Sequence, residues 1–104
     1  MKLTVHERLI LPALLPSKED FLTLRILRKL KEDLSFSEEE HKKLKFRQED
    51  TQIFWDTKSA TEKDIEFGDI ATKLIVEKLK SMNEKKELTT EHISLYEKFV
   101  EKPN

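Results

Sequence analysis

Apolar residues recur first at helical spacing, then at every second position, then at helical spacing again. Thr4-Val5-His6-Glu7 has the form of a capping box, in which the N-cap hydroxyl and the carboxylate three residues on satisfy free backbone donors. It predicts a short helix from Val5 to about Leu15, kinked or in its last turn at Pro12 and stopped by Pro16. Ser17-Lys18-Glu19-Asp20 reads as a second helix start. After it Phe21, Leu24, Leu27, Leu30 and Leu34 fall at helical spacing, with Arg28, Lys29 and Lys31 toward the end, where they suit the helix dipole. Phe36 precedes a further capping box, Ser37 to Glu40, which opens a short helix to about Lys43.

The period then changes. Leu44 and Phe46 alternate with Lys45 and Arg47, Ile53 and Trp55 flank Phe54, and Ile65 and Phe67 alternate with Asp64 and Glu66. Period two over short runs, broken at Glu49-Asp50 and across Thr57 to Thr61, predicts three antiparallel strands in a meander, with Lys58-Ser59-Ala60 in the second loop. Gly68-Asp69 ends the sheet and starts a helix, Gly68 for its backbone freedom and Asp69 as N-cap. That helix carries Ala71, Ile75, Leu79 and Met82 on one face. Asn83 to Glu87 is a charged turn. Thr89 or Thr90 caps a last helix, with Ile93, Tyr96 and Val100 on one face and Phe99 beside them. Lys102-Pro103-Asn104 is expected to fray. The predicted fold is one α+β domain over residues 1–104, with helices packed on one face of a three-stranded meander in the order α-α-α-β-β-β-α-α.

Charge narrows the function. Asp, Glu, Lys and Arg make up 39% of the chain, yet 20 basic residues nearly cancel 21 acidic ones, and the net charge is −1. A polyanion-binding domain ordinarily shows a basic excess. Three helices followed by a hairpin is the order of a winged helix, whose third helix enters the major groove. Here its first turn would bring Glu38, Glu39 and Glu40 against phosphates. Arg25, Arg28 and Lys29 form the candidate basic patch. Cysteine is absent, which excludes disulfides and thiolate metal sites. The longest apolar run, Leu9 to Leu15, is broken by Pro12 and preceded by Glu7 and Arg8, too short for a membrane span and without the order of a signal peptide. A cytoplasmic protein is expected.

Catalytic chemistry finds little support. The histidines sit in His6-Glu7, Glu40-His41 and Glu91-His92, where neighbouring side chains point about 100° apart in a helix. No two histidines are spaced as in a zinc-binding helix, and close acid pairs are expected by chance at this acid content. The single glycine excludes phosphate loops and dinucleotide fingerprints. No enzymatic activity, cofactor or metal is expected. Phe54-Trp55 is the candidate interface: Trp55 is expected in the core with Ile53, Phe46 and Phe67, and Phe54 on the open face of the sheet, where it could centre a contact.

The stretches HERLILPALLP, FLTLRILRKLKEDLSFSEEEHKKLKF and HISLYEKFV, with Trp55 between them, resemble small proteins of unassigned function encoded by tailed phages and prophages. The shared pattern is Glu7-Arg8-Leu9 at the start, Leu15-Pro16 at the end of the first helix, the Ser35-Phe36-Ser37 cap and one tryptophan in a charged hairpin. The resemblance implies expression inside a bacterial cell and an accessory role, and it carries no functional residues. The function expected is a protein-binding accessory protein, acting on a host or phage protein as a monomer or small homo-oligomer. The alternatives are a self-associating structural protein and a winged-helix-like nucleic-acid-binding protein.

Overall fold

In the computed structural model, which describes residues 1–101, a short strand, β1 (Lys2–Leu3), leads into α1 (Val5–Ile10) through the predicted capping box. Thr4 Oγ1 accepts from the Glu7 amide at 3.1 Å, and Glu7 Oε1 accepts from the Thr4 amide at 2.9 Å. The helix is shorter than its apolar spacing predicts. Pro12 has no amide hydrogen to donate back along the helix, and the backbone tightens into a 3-10 turn over Leu11–Leu14.

Helix α2 (Phe21–Leu34) is capped by Asp20 and not by Ser17: Asp20 Oδ1 accepts from the Thr23 amide at 2.8 Å. Leu27, Leu30 and Leu34 are buried as their spacing predicts, but Phe21 is 73% and Leu22 61% exposed. Phe21 lies about 120° around the helix from Leu27, so it leaves the stripe that faces the core. Helix α3 (Glu38–Leu44) carries the second capping box, between Ser37 and Glu40, and ends on Lys45 in the left-handed region at φ 49°.

Strands β2 (Arg47–Glu49) and β3 (Gln52–Phe54) pair antiparallel, with Arg47 opposite Phe54, Gln48 opposite Ile53 and Glu49 opposite Gln52. Asp50 makes the turn at φ 54°. The expected third strand, β4 (Lys63–Asp64), does not join them. It pairs antiparallel with β1, Lys2 opposite Asp64 and Leu3 opposite Lys63, and the Ile65 amide extends this ladder to the Met1 carbonyl at 2.9 Å. The predicted meander is therefore corrected to two separate two-stranded sheets among the described residues. A strand of two residues is too short to show alternation, which is why β1 left no trace in the pattern. Lys63 fixes the position of β4 by donating to the Asp33 carbonyl at 2.8 Å.

Helix α4 (Asp69–Glu84) buries Ala71, Ile75 and Leu79. Its N-cap is Gly68 in an ordinary extended conformation, φ −72° and ψ 171°, with no side-chain cap, while Asp69 is the first helical residue. A Cβ on Gly68 would meet nothing within 4 Å, so neither backbone angle nor crowding requires glycine there. A 3-10 turn over Thr90–His92 leads to α5 (Ile93–Phe99), whose buried residues are Leu95 and Phe99, while Ile93 is exposed. The expected fraying of residues 102–104 lies outside the described residues.

The helices pack on one another, not on a sheet face. Leu11, Leu27, Leu34, Ile75, Leu79 and Leu95 lie at the centre of the core, joined by Leu3 and Ile65 from the β1–β4 ladder. The β2–β3 hairpin contributes no residue to this core.

Two substitutions test the local backbone. Lys45→Gly removes a left-handed penalty of roughly 1 kcal/mol, and Gly68→Ser adds a cap worth a few tenths of a kcal/mol and lowers unfolded-state entropy. Both are expected to raise the melting temperature followed by far-ultraviolet circular dichroism; a fall in either would contradict the assigned backbone.

Candidate functional site

Helix α1 places two opposite charges side by side in the interior. Arg8 is 1% exposed and Glu7 equally so. Burying a guanidinium is costly unless its donors are satisfied. Arg8 Nε donates to the Leu34 carbonyl at 3.2 Å, Nη2 donates to the Ser35 carbonyl, and both terminal nitrogens reach the Glu40 carboxylate. The Phe36 ring covers the guanidinium, with Cζ 3.9 Å from the ring centroid. One side chain thus holds the last turn of α2, the α2–α3 connection and the N-terminus of α3. Hydrogen bonding from Arg8 lowers the Glu40 carboxyl from 4.5 to about 2, against the upward push of partial burial.

Glu7 points elsewhere, as helical neighbours must. Its Oε1 accepts from Lys98 of α5 at 2.6 Å, and Lys98 also donates to the Lys2 carbonyl at 2.9 Å. Burial pushes the Glu7 carboxyl up, but hydrogen bonds from Lys98, the Thr4 amide and Ser94 outweigh it and leave the group below its ordinary value. Its other oxygen is buried without a well-aligned donor among the described residues.

The hairpin rests on a row of rings that begins with Phe36 on the Arg8 guanidinium. Phe46 packs edge-on against Phe36 at 4.9 Å and against His41 at 5.5 Å, and lies 6.3 Å from Trp55. Trp55 in turn stacks on His6 of α1 at 6.2 Å. The expected cluster of Trp55 with Ile53, Phe46 and Phe67 is corrected. Trp55 is half-buried with Phe46, Ile53 is 45% exposed, and Phe67 packs against Phe99 at 5.1 Å on another part of the molecule. With neither hairpin face on the core, alternation does not decide burial. Phe54 is 37% exposed and lies under the Arg47 guanidinium, 5.3 Å from ring centroid to Cζ.

Beside the hairpin runs a groove of about 390 Å³, walled by His6, Leu9 and Ile10 of α1, by Glu91, and by the consecutive residues Thr51, Gln52, Ile53, Phe54 and Trp55. A second hollow of about 290 Å³ shares Leu9 and Ile53 with it and is completed by Phe36, His41, Phe46, Arg47 and Gln48. The side chains of His6 and Glu91 are 4.0 Å apart. Phe54 and Trp55, named from sequence, therefore line one concave surface.

The candidate basic patch is divided. Arg25 and Lys29 line a groove with Ile26, Leu30, Asp33, Glu66, Gly68 and Ala71, while Arg28 does not. Lys29 donates to Asp33 at 2.6 Å, and the Arg25 guanidinium lies 5.8 Å from the Phe21 ring centroid. Acids therefore interleave this face.

Among the described residues no group of three His, Asp or Glu side chains is placed to hold a metal ion, and no helix is long and apolar enough to cross a membrane. Comparison with known protein families, curated proteins and solved structures found no match to this chain. The site is accordingly read from its own geometry. Glu7 was read from sequence as the capping carboxylate, but the burial of Glu7 and Arg8 was missed, although Arg8 carries a signal. It stands at helical spacing between Val5 and Leu11, both buried, so a charge occupies the core-facing stripe.

Removing Arg8 takes a donor from the Leu34 and Ser35 carbonyls and leaves the Glu40 carboxylate with only the Ser37 amide among the described residues. Arg8→Ala is expected to cost about 3 kcal/mol in urea unfolding; a loss below about 0.5 kcal/mol would contradict the buried clamp. The acid response follows from the lowered Glu40 carboxyl. Its contribution is complete above the unfolded value near 4.5 and is lost as pH falls toward about 2. Glu40→Gln should therefore be less stable near neutral pH and lose stability less steeply on acidification; parallel pH profiles would contradict this.

Proposed function

We propose that this protein is a non-catalytic binding module that engages another protein through the β2–β3 hairpin and the groove beside it. The observation that carries the reading is the mismatch between the hairpin's composition and its place. It contributes nothing to the main core, yet it carries Ile53 and Phe54 exposed and Trp55 half-buried. Clustered apolar side chains that the fold does not need for its own packing are what a partner would cover. The rings of Phe36, Phe46 and His6 underneath support a preformed surface, which lowers the ordering cost of association. The resemblance to phage-encoded proteins supports an accessory role in the bacterial cytoplasm, with a host or phage protein as partner.

Self-association is the second reading, and the start of α2 favours it. Phe21 and Leu22 are largely exposed there, with Glu19 and Asp20 at that end of the helix and Lys29 and Lys31 toward the other. An antiparallel pair of such helices would set acid against base. The interleaved acids on the Arg25 face give nucleic-acid binding no comparable support.

Tagged protein exposed to nuclease-treated bacterial lysate should retain a stoichiometric partner. Phe54→Ala should weaken that capture about tenfold or more, and Phe21→Ala should leave it unchanged. Loss with Phe21→Ala alone, together with a dimer mass in light scattering that the same variant abolishes, would favour self-association instead.

A further inference from the structure

The hairpin ladder shows which backbone groups lie on its free edge. A two-residue turn makes Glu49–Gln52 the hydrogen-bonded closing pair, and antiparallel pairs alternate. Arg47–Phe54 is then bonded as well, and Gln48–Ile53 is the pair that is not. The N–H and C=O of Ile53 therefore point away from β2, and those of Trp55, two residues on, point the same way. Neither residue makes a backbone hydrogen bond to another element among the described residues. The groove lies on this edge. Side chains of successive strand residues point to opposite faces, yet Gln52, Ile53 and Phe54 all line the hollow and no residue of β2 does, so it runs along the free edge of β3 and not over one face of the hairpin.

Resting on the binding reading above, we infer that the groove takes one extended segment of the partner as a third strand beside β3. The amides of that segment would pair with Ile53 and Trp55, and a basic side chain would meet Glu91. The edge from Gln52 to Trp55, β3 and the residue after it, spans about 13 Å, enough for alternating contacts from a short segment. Leu9 and Ile10 on the opposite wall favour apolar side chains at alternate positions. The side chain of Glu91 is 63% exposed, and its carboxylate has no Lys or Arg partner among the described residues, only His6 at 4.0 Å. A lysine or arginine of the segment supplies the missing charge. A second copy of this chain fits less well, because antiparallel pairing centred on Ile53 would set Asp50 opposite Asp56 of the other copy.

The probe is a pool of blocked peptides, roughly eight residues long, alternating valine, isoleucine or phenylalanine with varied polar residues, some including lysine. Binding to the full chain is read from amide shifts and hydrogen exchange. Members should bind and slow exchange at the Ile53 and Trp55 amides about tenfold or more. Methylation of the alternate set of peptide nitrogens that faces β3 should abolish binding while methylation of the other set spares it, and Glu91→Gln should weaken lysine-containing members more than lysine-free ones. Binding that leaves those two amides unprotected, or that survives methylation of each alternate set in turn, overturns the inference. So does concentration-dependent protection of the same amides in peptide-free protein, which would mean that a second copy fills the groove. If no member binds while lysate capture still depends on Phe54, strand addition fails and the binding reading stands. If capture is also indifferent to Phe54, both fail.

Discussion

A guanidinium buried in a helical protein must have its donors met, and here that requirement organises one side of the fold. Arg8 draws the carbonyls of Leu34 and Ser35 and the carboxylate of Glu40 to one point on α1. Two of these are carbonyls that the end of α2 leaves in need of a donor, and the third is the capping carboxylate at the start of α3. The α2–α3 connection is fixed because its orphan groups and a buried cation satisfy one another. Glu7, one residue back and about a quarter-turn away, does the same toward α5 through Lys98. A six-residue helix too short to be stable alone becomes the element to which the others are referenced.

The hairpin follows from that arrangement. Phe36 lies on the Arg8 guanidinium, Phe46 packs on Phe36, and Trp55 lies between Phe46 and His6. This row of rings ties residues 46–55 to α1 while leaving them outside the main core. Ile53 and Phe54 are then free to face outward, and the groove between β3 and α1 stays open. The surface proposed for a partner is thus a consequence of burying a charge on α1, at a distance from the leucines that hold the helices together.

Features that rest on local chemistry were legible in the sequence. Both capping boxes form between the residues that spell them, and the Leu27, Leu30 and Leu34 and the Ala71, Ile75 and Leu79 stripes face inward. Features set by distant partners were not. The 63–67 segment alternates like a strand, but alternation does not name the neighbour, and its neighbour is a two-residue strand some sixty residues earlier, at Lys2–Leu3. Ser17 and Asp20 are both acceptable caps, and only packing decides between them. In α5 Leu95 and Phe99 are buried and Tyr96 and Val100 pack partly against the core, while Ile93 is exposed, because the helix is approached from the side where Phe67 lies. The exposure of Phe54 agrees with its position in the alternation, but that of Ile53 does not, because neither hairpin face lies against the core.

Residue-resolved native-state hydrogen exchange tests most directly whether α1 is the reference element and the hairpin a lobe attached to it. The Arg8 and Leu11 amides, bonded back along α1, should exchange only through openings close to global unfolding, together with core amides of α4. Amides paired between β2 and β3 should exchange through a smaller opening that leaves α1 protected. Exchange of the Arg8 and Leu11 amides as fast as those of the hairpin would contradict the account.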